Sequence, residues 1–290
     1  MKLGVSSYSF LRLVQEGKMK QIDVIKKAKE MGFDAVEFIN FILEDGETDE
    51  SFAKRAYEES KKVGIDIESY TISSDFINGS NGDLEAEIER VKREVDIANI
   101  LGAKSMRHDA TIGFTDDYTG QRSFEHALPI LIRGYREVTE FAMKYGIKTM
   151  VENHGFFCQD SSRVEKLVNG VNHPNFGVLI DMGNFVCVDE QPEKALGVLM
   201  PYVFHVHAKD FHIKSGMLPD PGRGWFQSRG GNYLRGSIIG HGDVPILQCL
   251  RIMKKYNYDG VLSIEFEGLE DPLTGIEVGL ENLRKYIEMA

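Results

Sequence analysis

An amphipathic, lysine-rich stretch that ends at a glycine and gives way at once to a short apolar run occurs four times along the chain. The joins read KKAKEMG before FDAVEF, EESKKVG before IDIESY, DIANILG before AKSMRH, and FAMKYG before IKTMVE. Apolar positions at helical spacing ahead of each glycine predict a helix, and the compact apolar run behind it predicts a buried strand. Gly32, Gly64, Gly102 and Gly146 stand where a left-handed residue closes a helix, and lysines in some of the final turns complement the helix dipole. Three further apolar runs, NFGVLID near residue 180, YVFHVHAKD near 205 and YDGVLSIEFEG near 264, continue the series, and KLGVSSYSF opens it. That makes eight strands.

Eight strands, each followed by a helical pattern at a mean spacing of about 36 residues, predict a closed parallel (β/α)8 TIM barrel. An open doubly wound sheet is the structural rival, but no GxGxxG follows the first strand, and the GRG and RGGNYLRG elements come late in the chain. The expected organisation is one barrel domain over residues 1–290. The stretch 211–244 has no clear periodicity and is too long for a passive connection, so it is expected to be a lid loop over a site.

Composition narrows the picture. With 290 residues, 42% hydrophobic and 27% charged, the chain is that of an ordinary globular protein with a sizeable core. Lys and Arg total 34 against 45 Asp and Glu, and the resulting net charge of -11 repels phosphate backbones and anionic lipid surfaces. The expected partner is therefore a small molecule, with neither nucleic acid nor membrane, and a homo-oligomer stays open. Three cysteines, Cys158, Cys187 and Cys249, show no CxxC spacing. Together with an N-terminal stretch unlike a signal peptide and the lack of a long apolar run, they point to the cytoplasm.

Candidate chemistry lies at the C-terminal ends of the strands, where barrels of this kind build their sites. The fifth run stops at Glu152 in VENHG, the sixth at Asp181 in LIDMGN, the seventh carries HVHAKD and the eighth SIEFEG. Side chains two apart share a face of a strand, so His205, His207 and Lys209 face the interior while Phe204, Val206 and Ala208 face the helices. Ser263, Glu265 and Glu267 face inward by the same rule. Glu152, Asp181, His207 and Glu265 thus converge, and three carboxylates at one point repel each other unless a cation joins them. One imidazole with three carboxylates suits one divalent ion, Mn2+ first, with Mg2+, Co2+ or Zn2+ as alternatives. The plainer reading makes each residue a strand-end cap or salt-bridge partner.

The order ENHG, LIDMGN, HVHAKD and SIEFEG, with GHGD between the last two, resembles the xylose isomerase-like TIM barrels, the sugar phosphate isomerase/epimerase family. The resemblance covers essentially the whole chain. It implies that Glu152, Asp181, His207 and Glu265 bind the metal and that Glu152 and Glu265 are the acid/base pair of a sugar or keto-polyol isomerase or epimerase working through an enediolate. A dehydratase or lyase acting on an inosose or keto-glycoside is the same-site alternative. A noncatalytic metal- or sugar-binding barrel is the alternative of another class. Where many relatives have a histidine three residues after the sixth-strand aspartate, this chain has Asn184. That departure, with the negative charge, argues against an endonuclease IV activity.

Further substrate contacts are expected from Glu37 and His108 at strand ends, from His154 one step outward of Glu152, and from Asn184 and Lys209. The 211–244 stretch adds Arg223 and Trp225, read as an oxygen-binding arginine and a sugar-stacking ring, and His241 of the GHGD element. The alternative for its arginines is pairing with an acidic body.

Overall fold

The computed structural model describes all 290 residues. Eleven strands form: β1 (Lys2–Ser6), β2 (Ala35–Phe38), β3 (Asp66–Ile72), β4 (Ser105–His108), β5 (Lys148–Glu152), β6 (Phe176–Asp181), β7 (Val203–Ala208), β8 (Asp210–Lys214), β9 (Phe226–Gln227), β10 (Tyr233–Ser237) and β11 (Val261–Ile264). Eight of them close a barrel in the order β1-β11-β7-β6-β5-β4-β3-β2. Every pairing within it is parallel. The chain is a (β/α)8 TIM barrel, as the alternation of helix and strand patterns predicts.

The four helix-to-strand joins have the expected local cause. Gly32, Gly64, Gly102 and Gly146 all have positive φ, between 70° and 86°, which turns the chain out of each helix and into the next strand at no steric cost. The helices lie outside, and their apolar faces meet the outward residues of the strands in one continuous core that includes Phe10, Phe38, Tyr135, Phe185 and Leu262. None of the helices is long and apolar enough to cross a membrane.

The stretch after β7 is more ordered than its sequence suggests. β8, β10 and β9 form a separate antiparallel sheet in that order, with Asp210–Lys214 registered against Tyr233–Ser237. Its base is closed by one buried carboxylate: Asp210 accepts backbone N–H groups from Phe211, Gly240, Gly242 and Val244 at 2.8–3.1 Å. The arm leans over the C-terminal mouth of the barrel, where Phe211 and Phe226 line a cavity of about 350 Å³. Their rings meet edge to face at 5.8 Å.

Candidate metal centre

Glu152 ends β5, Asp181 ends β6, His207 is the last but one residue of β7, and Glu265 follows β11 directly. One donor atom from each lies within 4.8 Å of the others at the floor of the cavity. His207 Nδ1 is 2.6 Å from Glu265 Oε2, 3.8 Å from Asp181 Oδ2 and 3.9 Å from Glu152 Oε1. The supports are local. Asp181 Oδ1 accepts from the backbone of Gly183 and Asn184, and the Asn153 amide bonds both backbone groups of Asp181, fastening β6 to the end of β5. A methyl group on Gly183 would lie 2.9 Å from the Lys209 carbonyl oxygen, so the loop after β6 needs glycine to lie against the end of β7.

Two atoms in this cluster mark what it can hold. Asp181 Oδ2 and His207 Nδ1 are fully buried and lack a well-formed hydrogen bond, although Lys209 Nζ stands 3.2 Å from the first and Glu265 Oε2 2.6 Å from the second. Buried polar atoms without well-formed hydrogen bonds are costly, and here both belong to a group of one imidazole and three carboxylates arranged around a common point. A divalent ion fits such a set. Glu37, His205 and His207 form a second close group, but it is largely tied internally: Glu37 bonds His207 and Ser263 bonds His205.

Glu37 does not line the cavity, contrary to the expectation of a substrate contact. It lies inside the barrel beneath the cluster, completely buried, with its two oxygens 3.0 and 3.1 Å from His207 Nε2 and one of them 3.4 Å from His205 Nε2. Burial pushes its carboxyl up, but the adjacent His207 and His205 pull it further down, so it is an anion. An anion can only accept, which keeps one His207 proton on Nε2. Against the effect of burial, Glu37 and Glu265 hold the imidazole well above its usual pKa, so in the metal-free chain Nδ1, 2.6 Å from Glu265, carries a second proton that a bound ion would replace. Glu37→Gln is expected to weaken divalent-ion binding by roughly 10- to 100-fold, because an amide can donate to Nε2 and drive the proton onto Nδ1. Calorimetric titration of Mn2+ into the folded variant checks this.

Two buried cations share the floor. Lys209 Nζ lies 3.2 Å from Asp181, 3.0 Å from Glu265 and 3.5 Å from Glu267, and donates to Asn184 Oδ1 at 3.2 Å. Asn184 in turn donates to Glu152 Oε1 at 3.1 Å, so it bridges a carboxylate and an ammonium. Arg107 holds Glu152 Oε2 through two nitrogens, reaches Asp109 at 3.2 Å and donates to the Ile72 carbonyl. Burial would raise the carboxyl of Glu265, yet Lys209 and His207 hold it well below the usual carboxylate range.

Arg107 replaces its neighbour His108 as the inward residue of β4. His108 points into the helix layer, stacked 4.4 Å from the Tyr135 ring, and burial pushes its pKa down to about 3, so it is a neutral core residue. Strand parity carries the signal: His108 shares a face with the fully buried Met106, and the residue between them must face inward. His154 does line the cavity, at its rim, where its Nδ1 meets Asp109 at 2.9 Å. Tyr8 lines it as well, and burial and the neighbouring Glu267 push its hydroxyl up to about 12.

The arm residues fall elsewhere than expected. Trp225 does not line the cavity; its ring is met by Lys214 and Arg235, at 5.0 and 5.6 Å from its centroid. The next residue, Phe226, takes the cavity side, since neighbours in an extended segment face opposite ways. Arg223 and His241 are exposed in turns away from the cavity. Arg229 pairs with Asp160 and the Phe156 carbonyl, and Arg235 approaches Glu270 at 3.5 Å, so these arginines knit the arm to an acidic body.

The model of a family described as the xylose isomerase-like TIM barrel matches residues 25–286. An uncharacterized protein of Methanocaldococcus jannaschii is 26% identical over 159 residues, 53% of this chain and 47% of that protein, so the chain spans about half the length of the curated relative it matches. An L-ribulose 3-epimerase structure superposes with a TM-score of 0.74 at 12% identity, covering 99% of this chain and 95% of that one. A probable 3-DHS dehydratase from Bacillus anthracis superposes with a TM-score of 0.72 at 18% identity, covering 98% and 99%. At these identities the superpositions speak to the fold.

Proposed function

Because the chain belongs to the xylose isomerase-like TIM-barrel family, we propose that it is a divalent-metal-dependent enzyme that epimerises or isomerises a sugar or keto-polyol by moving a proton next to a carbonyl. The observation that carries this reading is the placement of the two glutamates. β5 and β11 are the outer members of the arc β5-β6-β7-β11, so Glu152 and Glu265 reach the cluster from its two ends, with Asp181 and His207 between them.

Glu152, Asp181, His207 and Glu265 would hold the ion, Mn2+ in the first place with Mg2+, Co2+ or Zn2+ as alternatives, and the ion when bound supplies Lewis-acid polarisation of a carbonyl and its neighbouring hydroxyl. The chain does the proton work. Glu265, kept anionic by Lys209, takes the proton from the acidified C–H, and Glu152 returns one from the other end of the arc. Lys209 and Arg107, paired with Glu265 and Glu152, offset the charge of the floor carboxylates and so lower the cost of forming an enediolate beside them. The pairing of His154 with Asp109 at the rim supports a second reading: with a hydroxyl beta to the carbonyl, His154 would protonate the leaving oxygen, which makes the same enolate a dehydration intermediate.

The test has two parts. The protein is expected to bind one Mn2+ per chain, by elemental analysis and calorimetry. Loaded protein incubated in deuterium oxide with a panel of ketoses, inososes and keto-glycosides should introduce deuterium at one carbon, an activity abolished by chelator and restored by Mn2+. No bound metal and no calorimetric heat would defeat the reading, and loss of 18 mass units from the product would select the dehydratase.

A further inference from the structure

The cavity has two zones of different chemistry. Its floor is charged and buried, with Glu152, His207, Lys209 and Arg107, whereas its mouth carries two partly exposed phenylalanines, Phe156 at 44% and Phe226 at 38%. Phe156 is held in an unfavourable conformation. Its φ is +64°, a left-handed value that large side chains rarely adopt. Neighbours enforce it: Gln159 accepts from the Phe156 N–H, and Arg229 reaches across from the arm to its carbonyl. A strained aromatic residue pinned on both sides and turned toward solvent at a cavity mouth points to a ligand contact.

The cavity also continues sideways. A groove of about 650 Å³, with Thr111 and Ile112 on its walls, shares Ser73, Asp109, His154 and Gly155 with the main cavity. Neither space offers a free cation for a phosphate. Arg107 and Lys209 are engaged by carboxylates on the floor, and Arg90 in the groove is paired with Glu87 and Glu94. Arg229 and Arg235 on the arm face Asp160 and Glu270.

From this two-zone cavity, resting on the functional reading above, we propose that the substrate is an uncharged keto-glycoside: a sugar ring bearing the reacting carbonyl, seated on the charged floor and linked to a second ring that lies against Phe156 and Phe226. A free ketose would leave both rings in water, and a sugar phosphate would find no partner for its charge.

The probes are methyl and phenyl 3-keto-glycosides of the gluco, galacto and manno series, with the corresponding hexose 6-phosphates, titrated calorimetrically into Mn2+-loaded protein. In at least one series the phenyl glycoside is expected to bind roughly tenfold tighter than the methyl one, about the worth of one good aromatic contact. Phe156→Asn and Phe226→Ala should each bring that ratio toward one. Asparagine tolerates the left-handed conformation, so the melting temperature of Phe156→Asn should equal or exceed that of the parent, whereas a purely structural Phe156 would lower it and leave the ratio intact. Equal binding of both glycosides, a ratio that survives both substitutions, tighter binding of a hexose phosphate, or no glycoside binding at all would each overturn the proposal. Deuterium exchange into a free ketose by a protein that ignores every glycoside would defeat this inference alone and leave the metal-dependent reading standing.

Discussion

Glu265→Gln, assayed at saturating metal, should slow proton exchange into substrate by roughly 10² to 10⁴, the range for a positioned acid or base. The amide keeps the shape of the side chain but cannot accept a proton at working pH. The fold should survive, because Lys209 keeps Asp181 at 3.2 Å and Glu267 at 3.5 Å as counter-charges. One ion ligand is weakened as well, so the comparison needs a metal titration under each assay condition; a loss that vanishes with added metal would reduce Glu265 to a ligand. Deuterium wash-in followed by NMR separates the two cases. If the variant turns over near-normally while His154→Ala is dead, the proton belongs to the histidine and the dehydratase reading gains.

The second large effect is on stability. Arg107→Met is expected to cost about 3–5 kcal/mol in metal-free protein, the usual penalty for leaving a buried charge without its partner. The side chains of Arg107 and Glu152 are both at most one-tenth exposed, and Asp109 depends on the same guanidinium. Urea denaturation in the presence of chelator measures the loss. Saturating Mn2+ should recover part of it, since an ion that binds only the folded state stabilises it by mass action. Lysine is a poor substitute, because a single ammonium cannot span Glu152, Asp109 and the Ile72 carbonyl as the guanidinium does. A loss below about 1 kcal/mol would mean that the ion pair merely offsets its own desolvation.

Much of this architecture is written locally. The glycine-closed helices and the apolar runs behind them locate the strands, and period-two alternation brings Glu152, Asp181, His207 and Glu265 to one point before any coordinates are known. The same alternation, applied to SMRHDA, places Arg107 inward; His108 draws attention only because histidine is the more familiar ligand. Glu37 is harder to read. Its partner His207 lies 170 positions away, on a strand that does not pair with β2, and only closure of the barrel brings the two together. The arm is obscure for a related reason: β8 and β10 are short, partly polar strands whose pairing depends on a connection of irregular length, which no periodicity reveals. Trp225 and Phe226 show the limit of reading by residue type, because one position along an extended segment decides which ring meets the cavity.

Asp210 has a consequence for how such a barrel can diversify. By gathering amides from both ends of the excursion, it makes the arm a closed stem whose tip can change in length or sequence at the cost of its own contacts, such as Arg229 with Asp160 and the Phe156 carbonyl, while the stem stays fastened beside β7 and the proposed metal-binding floor. Reaction and recognition are thereby built as separable parts. Exchanging the segment between Lys214 and Tyr233 for a different loop should alter which glycosides are accepted while the proton-transfer apparatus stays in register, so new specificities are accessible to this scaffold through a graft at one stem.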